Sequence, residues 1–391
     1  MKIAHCVEMY APAPGGMAEV VKQLSERMTA AGHLVTVFTS VHKDRNFETL
    51  NGVQIKTFNI SGNAQSGLAG NVCEYIDALR QGKFDVIAFY AAQQWTTDAA
   101  LPHLQSLQSK KVFVPTGFSA FYRPEWKAYY QKMPQWMAQM DMNVFLSDNY
   151  RDAAFAKENN ISNRILIPNG ASREEFESVD SSAFRSAHGI DHESSLILHV
   201  GSFVSGKAQE ETLRIFLKAN LKNSTLLLAG HGADSFRKVL MRYPLLSLSI
   251  WMQQQFRKNK VIYKAINREE TLRAFHEADF FLFPSKIECS PIVLFECMAS
   301  RTPFLVTDVG NSKEIIEWSG SGWLMKTTID DAGYSHVDIA AAALQLREKW
   351  NDEVSRVQAG KCGHSAWIQR FTWQHIADQY MCLYTQLVAT K

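Results

Sequence analysis

The chain has 391 residues, room for two or three domains at about 150 residues each. Hydrophobic residues make up 46% and charged residues 20%, a globular composition that excludes wholesale disorder and fibrous repeats. Lys and Arg total 41 against 39 Asp and Glu, a formal net charge of +2, and a balance so near zero argues against nucleic acid as the main partner. No run of about 18 apolar residues predicts a transmembrane helix. The opening MKIAHCVEMYAPAPGG, with Glu8 inside it, lacks the apolar stretch of a signal peptide. Cys6, Cys73, Cys289, Cys297, Cys362 and Cys382 are scattered, without a C-x-x-C pair or zinc spacing, and read as reduced thiols of a cytosolic protein.

In chain order, the first half predicts strands at Lys2–Val7, Leu34–Thr39, Gly52–Phe58, Phe84–Tyr90, Lys111–Pro115, Met142–Ser147 and Arg164–Pro168. The second half predicts them at Ser195–Gly201, Thr225–Gly230, Lys260–Tyr263, Asp279–Pro284, Pro303–Thr307 and Gly322–Met325. Most are continuous Val/Ile/Leu/Phe runs, as in parallel strands covered on both faces by helices. The stretches between them have helical period: Met17–Ala31 stacks Val20, Val21, Leu24 and Met28 and stops at Gly32, a residue suited to a helix C-terminus. Alternation of this kind implies a doubly wound α/β class. So many strands exceed one sheet, and the polar stretch Ser172–Ser194 near mid-chain divides them into two domains.

Four stretches stand out. After the first strand, Gly15-Gly16 opens a helix, and such a turn lets backbone N–H groups approach a ligand at the positive helix end. A simple tight turn accounts for it equally well. It is not G-x-G-x-x-G, and no acid ends the second strand, which disfavours a nicotinamide dinucleotide. The segment His103–Met140 sets Lys110, Lys111, Arg123, Lys127 and Lys132 against Glu125 alone, a local +4. Within it Trp126, Tyr129, Tyr130, Met133, Met137 and Met140 follow helical spacing. A basic helix with an aromatic face suits peripheral contact with an anionic membrane through residues 121–140. The alternatives are an ordinary helix covering the sheet and an acceptor pocket lined with aromatics. Further on, Tyr243–Met252 (YPLLSLSIWM) reads as an inserted apolar stretch used for core or interface packing.

The fourth is the most informative. A buried strand ends at Pro284-Ser285, a short loop carries Glu288, and a helix opens with Ser290 as N-cap and Pro291 at its first position. Glu296 lies one to two turns inside. Free N–H groups around Ser290–Val293 can bind anionic or hydroxyl oxygens, and a carboxylate can grip a vicinal diol by accepting two hydrogen bonds. On spacing alone, a solvated loop acid and a helix-dipole complement explain the pair as well.

These residues resemble the signature of family four of the retaining glycosyltransferases with the GT-B fold: Pro284-Ser285, Glu288 and Glu296 as Glu-x7-Glu, Met298-Ala299, Pro303, Val309-Gly310 and Glu314. The resemblance extends to Gly15-Gly16 through Val35, to PNGASREEF (Pro168–Phe176), to GSFVSGK (Gly201–Lys207) and to Phe371-Thr372-Trp373…Tyr380…Tyr384. It implies two Rossmann-like domains facing across a cleft. Residues 1–172 would form the acceptor side and 173–372 the nucleotide-sugar side, with a closing helix, 373–391, crossing back to the first domain. It also implies a metal-independent hexosyltransferase without cofactor, moving sugar from a UDP or GDP donor to a glycan or lipid-linked glycan, in the cytoplasm, either free or peripheral on the inner face of the membrane.

Residue by residue, the resemblance gives Lys207 the leaving diphosphate and Glu296 the ribose. Glu288, Cys289, Ser290, Pro291 and Ile292 position the donor sugar, and Gly15 and Gly16 face the diphosphate. Glu288 joins Lys207 as catalytic. The sequence has no Asp-x-Asp triplet of the kind that holds a divalent cation on a diphosphate. It also departs from the family pattern. Ser202 stands where Arg is usual, a charge that Arg268 or another side chain would have to supply. Thr116-Gly117, the expected acceptor or sugar side, stands where His-Gly is usual. Arg301 replaces a Gly, and Ser172 an Asp. The changes at Ser202 and Thr116 keep open a non-catalytic subunit that binds nucleotide sugar or glycan, and the scaffold itself leaves open an epimerase or a glycoside phosphorylase.

Overall fold

The computed structural model describes residues 1–390. The predicted apolar runs form strands within a residue or two of their expected ends, and they separate into two units. One unit is Met1–Asn169 together with the segment from Trp373 onward; the other is Gly170–Thr372.

The first unit holds β1 (Lys2–Cys6), β2 (Leu34–Ser40), β3 (Thr49–Leu50), β4 (Val53–Phe58), β5 (Ile60–Asn63), β6 (Gly67–Gly70), β7 (Val86–Tyr90), β8 (Lys110–Val114), β9 (Met142–Phe145) and β10 (Arg164–Leu166). Eight of them form one sheet in the order β10-β9-β8-β7-β1-β2-β4-β3, parallel except for β3 against β4. β5 and β6 form a separate antiparallel hairpin that the sequence reading missed. Its strands are short and carry three glycines, too few apolar residues to register as a run. β7 is buried at every position, the expected state of a central parallel strand. The helix Gly16–Ala30 ends as anticipated, with Gly32 at φ 86°, a conformation glycine adopts without steric cost. The final helix, Trp373–Ala389, packs on Gly16–Ala30.

The second unit holds β11 (Ser195–Val200), β12 (Ser224–Ala229), β13 (Lys260–Lys264), β14 (Phe280–Phe283), β15 (Phe304–Val306), β16 (Gly322–Leu324), β17 (Thr327–Ile329) and β18 (Ser335–Val337). Six make an all-parallel sheet, β13-β12-β11-β14-β15-β16, and the last two a hairpin. From β11 the chain winds outward to β12 and β13, then returns to the other side of β11 with β14. β11 and β14 therefore flank the switch point, where ligands of open α/β sheets collect at the carboxyl ends. The polar stretch after Ser172 is built into this unit: Phe176, Phe184 and Ile190 are buried in its core. Ser172 caps the helix Arg173–Glu177 by accepting from the Glu175 N–H at 3.3 Å.

The structure revises two expectations about exposed faces. In the helix Lys127–Gln139 and its flanks, Trp126, Tyr129, Tyr130, Met133, Met137 and Met140 are all buried. The stripe expected to face a membrane is core, and Tyr122 is the one large apolar side chain of the segment that is exposed. Conversely, the helix Pro244–Arg257 departs from the core packing that was one of its two expected uses. Leu246 is its one buried side chain, while Leu245, Leu248, Trp251 and Met252 are exposed. This helix lies along β13, the edge strand, where no further layer of the sheet exists to cover it.

Candidate functional site

The second unit assembles its candidate residues at the switch point. β11 and β14 pair in parallel, Ile197 opposite Phe280, so the loops that follow them are neighbours despite their sequence separation. They are stitched by backbone: the Lys286 N–H donates to the Gly206 carbonyl at 2.8 Å. Lys207 Nζ donates to Glu288 Oε1 at 2.6 Å, and Ser285 Oγ reaches the same oxygen at 2.6 Å. The Glu288 carboxylate is nearly buried, and the ammonium is about a third exposed. An ammonium carries three donors, so the pair leaves hydrogens on Lys207 for an anion. Lys207 also lies 5.6 Å from the centre of the Phe283 ring. Ala208, which begins the next helix, is buried at φ 57°, a left-handed conformation that costs a non-glycine residue about 1 kcal/mol or more.

The helix after Glu288 begins one residue later than expected. It spans Ile292–Ser300 with Pro291 at the N-cap and no side-chain cap, and Pro291 sits at φ −68°, ψ 112°, outside the helical region. Ser290 is tied elsewhere: its Oγ accepts from Asn311 Nδ2 at 3.0 Å, while the Asn311 N–H donates to the Cys289 carbonyl at 2.8 Å. Gly310 permits this closure. It sits at φ 58°, and a Cβ there would lie 2.2 Å from the Cys289 oxygen. The free N–H groups of a helix start thus belong here to Ile292 and its neighbours.

Glu296 is buried, and Arg268 is bonded to it. The same guanidinium donates to Glu175 at 2.7 Å. Arg268 is therefore held by two carboxylates, and its charge is largely matched before any diphosphate is considered. Ser202 is exposed, and its carbonyl accepts from Gln209 Nε2 at 2.9 Å. A cavity of about 260 Å³ opens beside this loop, lined by Val204, Gln209, Glu211 and Lys286 among others.

In the first unit, Gly15 is the N-cap of the helix Gly16–Ala30, and a Cβ on it would meet nothing within 4 Å. Thr116, Gly117 and Phe118, which follow β8, take φ of 61°, 90° and 48°. Strain at two non-glycine residues on either side of a glycine marks a backbone fixed by its surroundings. The anchor is Asp152, buried, accepting from the Gly117 N–H at 2.7 Å. Burial pushes the Asp152 carboxyl up to about 6 against the pull of that bond. After β7, Gln93 at φ 67° donates its N–H to Asp98, whose Oδ1 also accepts from the Tyr129 hydroxyl at 2.7 Å. Burial raises Asp98 to about 6 as well, and raises Glu8 at the end of β1. Sequence reasoning missed Asp98, Asp152 and Gln93. The available signal was an acid set among small apolar residues, TTDAAL and RDAAFA. A second cavity, of about 580 Å³, is lined by Phe121, Tyr122, Arg123, Lys127, Tyr130 and Phe155 with their neighbours. Among the described residues no three His, Cys, Asp or Glu side chains cluster to hold a metal ion, and no helix is long and apolar enough to cross a membrane.

Residues 180–354 match the family described as glycosyl transferases group 1. The chain is 24% identical to the GDP-mannose:cellobiosyl-diphosphopolyprenol alpha-mannosyltransferase of Xanthomonas oryzae pv. oryzae, over 97% of this chain and 96% of that one. Its fold is similar to sucrose-phosphate synthase from Thermosynechococcus elongatus, with TM-score 0.79, 18% identity and full coverage of both chains. It is also similar to Anabaena HepE, solved in complex with UDP and glucose, with TM-score 0.73, 14% identity and coverage of 99% and 100%.

Proposed function

We propose that this chain, a GT-B protein whose residues 180–354 form a group 1 glycosyl transferase domain, moves a hexose from a nucleoside-diphosphate sugar to a glycan or lipid-linked glycan. The transfer would retain anomeric configuration and need no metal. The observation that carries this reading is the Lys207–Glu288 pair at the β11/β14 switch point. It sets a cation that can neutralise a leaving diphosphate against the carboxylate that fixes the donor sugar.

In this reading the N–H groups at the start of Ile292–Ser300 bind donor oxygens, with Cys289, Ser290 and Pro291 shaping the loop. Glu296 accepts from the ribose diol, its orientation set by Arg268. With Arg268 engaged by Glu175 and Glu296, the positive charge absent at Ser202 falls to Lys207 and the helix start. The bond from the anomeric carbon to the diphosphate oxygen breaks as the acceptor oxygen bonds on the same face, and the acceptor proton passes to that diphosphate oxygen. Catalysis is then positioning and charge stabilisation. Thr116 and Gly117 of the first unit are assigned to the acceptor or sugar side. The Xanthomonas relative's printed substrate supports the lipid-linked class of acceptor.

The test is calorimetry with UDP and GDP, followed by mass-spectrometric detection of donor hydrolysis over a sugar panel, with and without a chelator. One nucleotide should bind, Glu296→Ala should weaken it, and Lys207→Ala should lower turnover about 100- to 1,000-fold while leaving binding nearly intact. Saturating UDP and GDP with neither heat nor thermal shift would overturn the reading, and chelator-sensitive turnover would overturn its metal-free form.

A further inference from the structure

The helix Pro244–Arg257 turns an apolar stripe to solvent. Leu245, Leu248, Met252 and Phe256 follow helical spacing and are 78%, 50%, 44% and 79% exposed. Trp251 beside them is 55% exposed, and Met241 on the preceding helix Phe236–Arg242 is 66% exposed. The opposite face holds the helix in place: Leu246 is buried, and Gln253 Nε2 donates to the Leu217 carbonyl at 2.6 Å. The exposed stripe is therefore not the result of a detached helix. Contiguous exposed apolar area of this kind marks a surface that something covers.

Charge says what covers it. From Asp234 to Glu269 the sequence contains no acidic residue between those two, while Arg237, Lys238, Arg242, Arg257, Lys258 and Lys260 bracket the stripe at both ends. An amphipathic helix with Trp and Phe on one face and cations at its flanks suits the boundary of an anionic bilayer. There the apolar stripe enters the acyl region and the long basic side chains reach headgroup phosphates. A second copy of the same patch is a poor occupant, since a twofold interface would set these unbalanced cations against each other. Nucleic acid would answer the cations and leave the aliphatic stripe in water.

We infer that the Phe236–Arg257 segment of the second unit is a peripheral docking surface for an anionic lipid bilayer. The role expected of residues 121–140 falls to this other segment. The inference goes beyond the transfer reaction and does not depend on it.

The test is co-sedimentation of the full chain with phosphatidylcholine vesicles containing about one-third phosphatidylglycerol, at low and high salt. Binding should appear at low salt, weaken with salt, and shift Trp251 emission to the blue. Leu245→Ser with Phe256→Ser, and separately Arg237→Glu with Lys238→Glu, should each weaken binding about 10-fold or more. Lys127→Glu with Lys132→Glu in the first unit should leave it within about twofold, since the inference gives the first unit no part in docking. Circular dichroism and nucleotide calorimetry on each variant separate loss of docking from loss of folding. The inference is overturned by absence of binding at low salt. It is also overturned by binding that survives both Phe236–Arg257 variants, or by stripe-dependent self-association without vesicle binding.

Discussion

The helices Lys127–Gln139 and Pro244–Arg257 are built from the same kinds of residue: Trp or Tyr, Leu or Met, and flanking Lys or Arg. The first buries its rings. Tyr129 bonds Asp98, Tyr130 meets Phe118 edge-on at 5.1 Å, and Met133 and Met137 are fully enclosed. The second shows its apolar residues to solvent. Composition and periodicity mark an apolar stripe in both, but they do not say whether a partner layer exists. The first helix has the β7–β8 loops and Phe155 to pack against. The second lies on an edge strand with nothing beyond it.

The comparison can be broken most directly through stability. Met133→Ala should cost about 2–5 kcal/mol in denaturant unfolding, as for other fully buried long side chains. A cost near zero would mean the first stripe is not core. Acidification extends the comparison to the two units. His199 in the second unit is held down to about 3 by burial, so the unfolded chain binds its proton more tightly and stability is lost as pH falls below 6.5. Between pH 6.5 and 5 this amounts to about 2 kcal/mol. His5 in the first unit, also near 3, acts the same way. There, however, Asp98 and Asp152, near 6 when folded against 3.8 otherwise, bind protons more tightly in the folded state and gain stability as pH falls through 6. Hydrogen exchange at pH 7 and pH 5 should show β11 and β12 losing protection while β1 and β7 keep theirs; equal loss would remove the distinction.

Tyr129→Phe should cost about 1.5 kcal/mol, the worth of a hydrogen bond to a charged acceptor, and raise Asp98 further, readable from its carboxyl NMR titration. The smallest effect is expected from Phe256→Ser, within about 0.5 kcal/mol of the parent in thermal unfolding although an entire ring is removed. A large loss there would place the second helix in a core after all.

The central strands were legible because buried parallel strands are continuous apolar runs, as VIAFY in β7 and FFLF in β14 show. The hairpins β5–β6 and β17–β18 were not, since three or four mostly polar or small residues make no period. At the candidate site, Lys207 and Glu288 could be named from the sequence. Their meeting across 81 positions follows from β11 and β14 being adjacent, which is topology and not local pattern. The helix start slipped by one residue because Ser290 is committed to Asn311, a partner on another element. The positive φ of Thr116 was invisible for a similar reason: it is imposed by Asp152, and nothing in Thr-Gly-Phe asks for it.

The final helix has a consequence for how the chain is made. Trp373–Ala389 packs on Gly16–Ala30, and Tyr384 meets His5 with ring centres 6.3 Å apart. Just before it, the Ala171 N–H donates to the Phe371 carbonyl at 3.0 Å, so the outgoing and returning chain run side by side. On the ribosome, all of residues 170–372 are synthesised before this helix emerges. The second unit can finish folding while the first still lacks one of its own walls. A chain truncated after residue 372 would leave the face of Gly16–Ala30 that this helix covers exposed, a target for chaperones, whereas every residue of its second unit would be present.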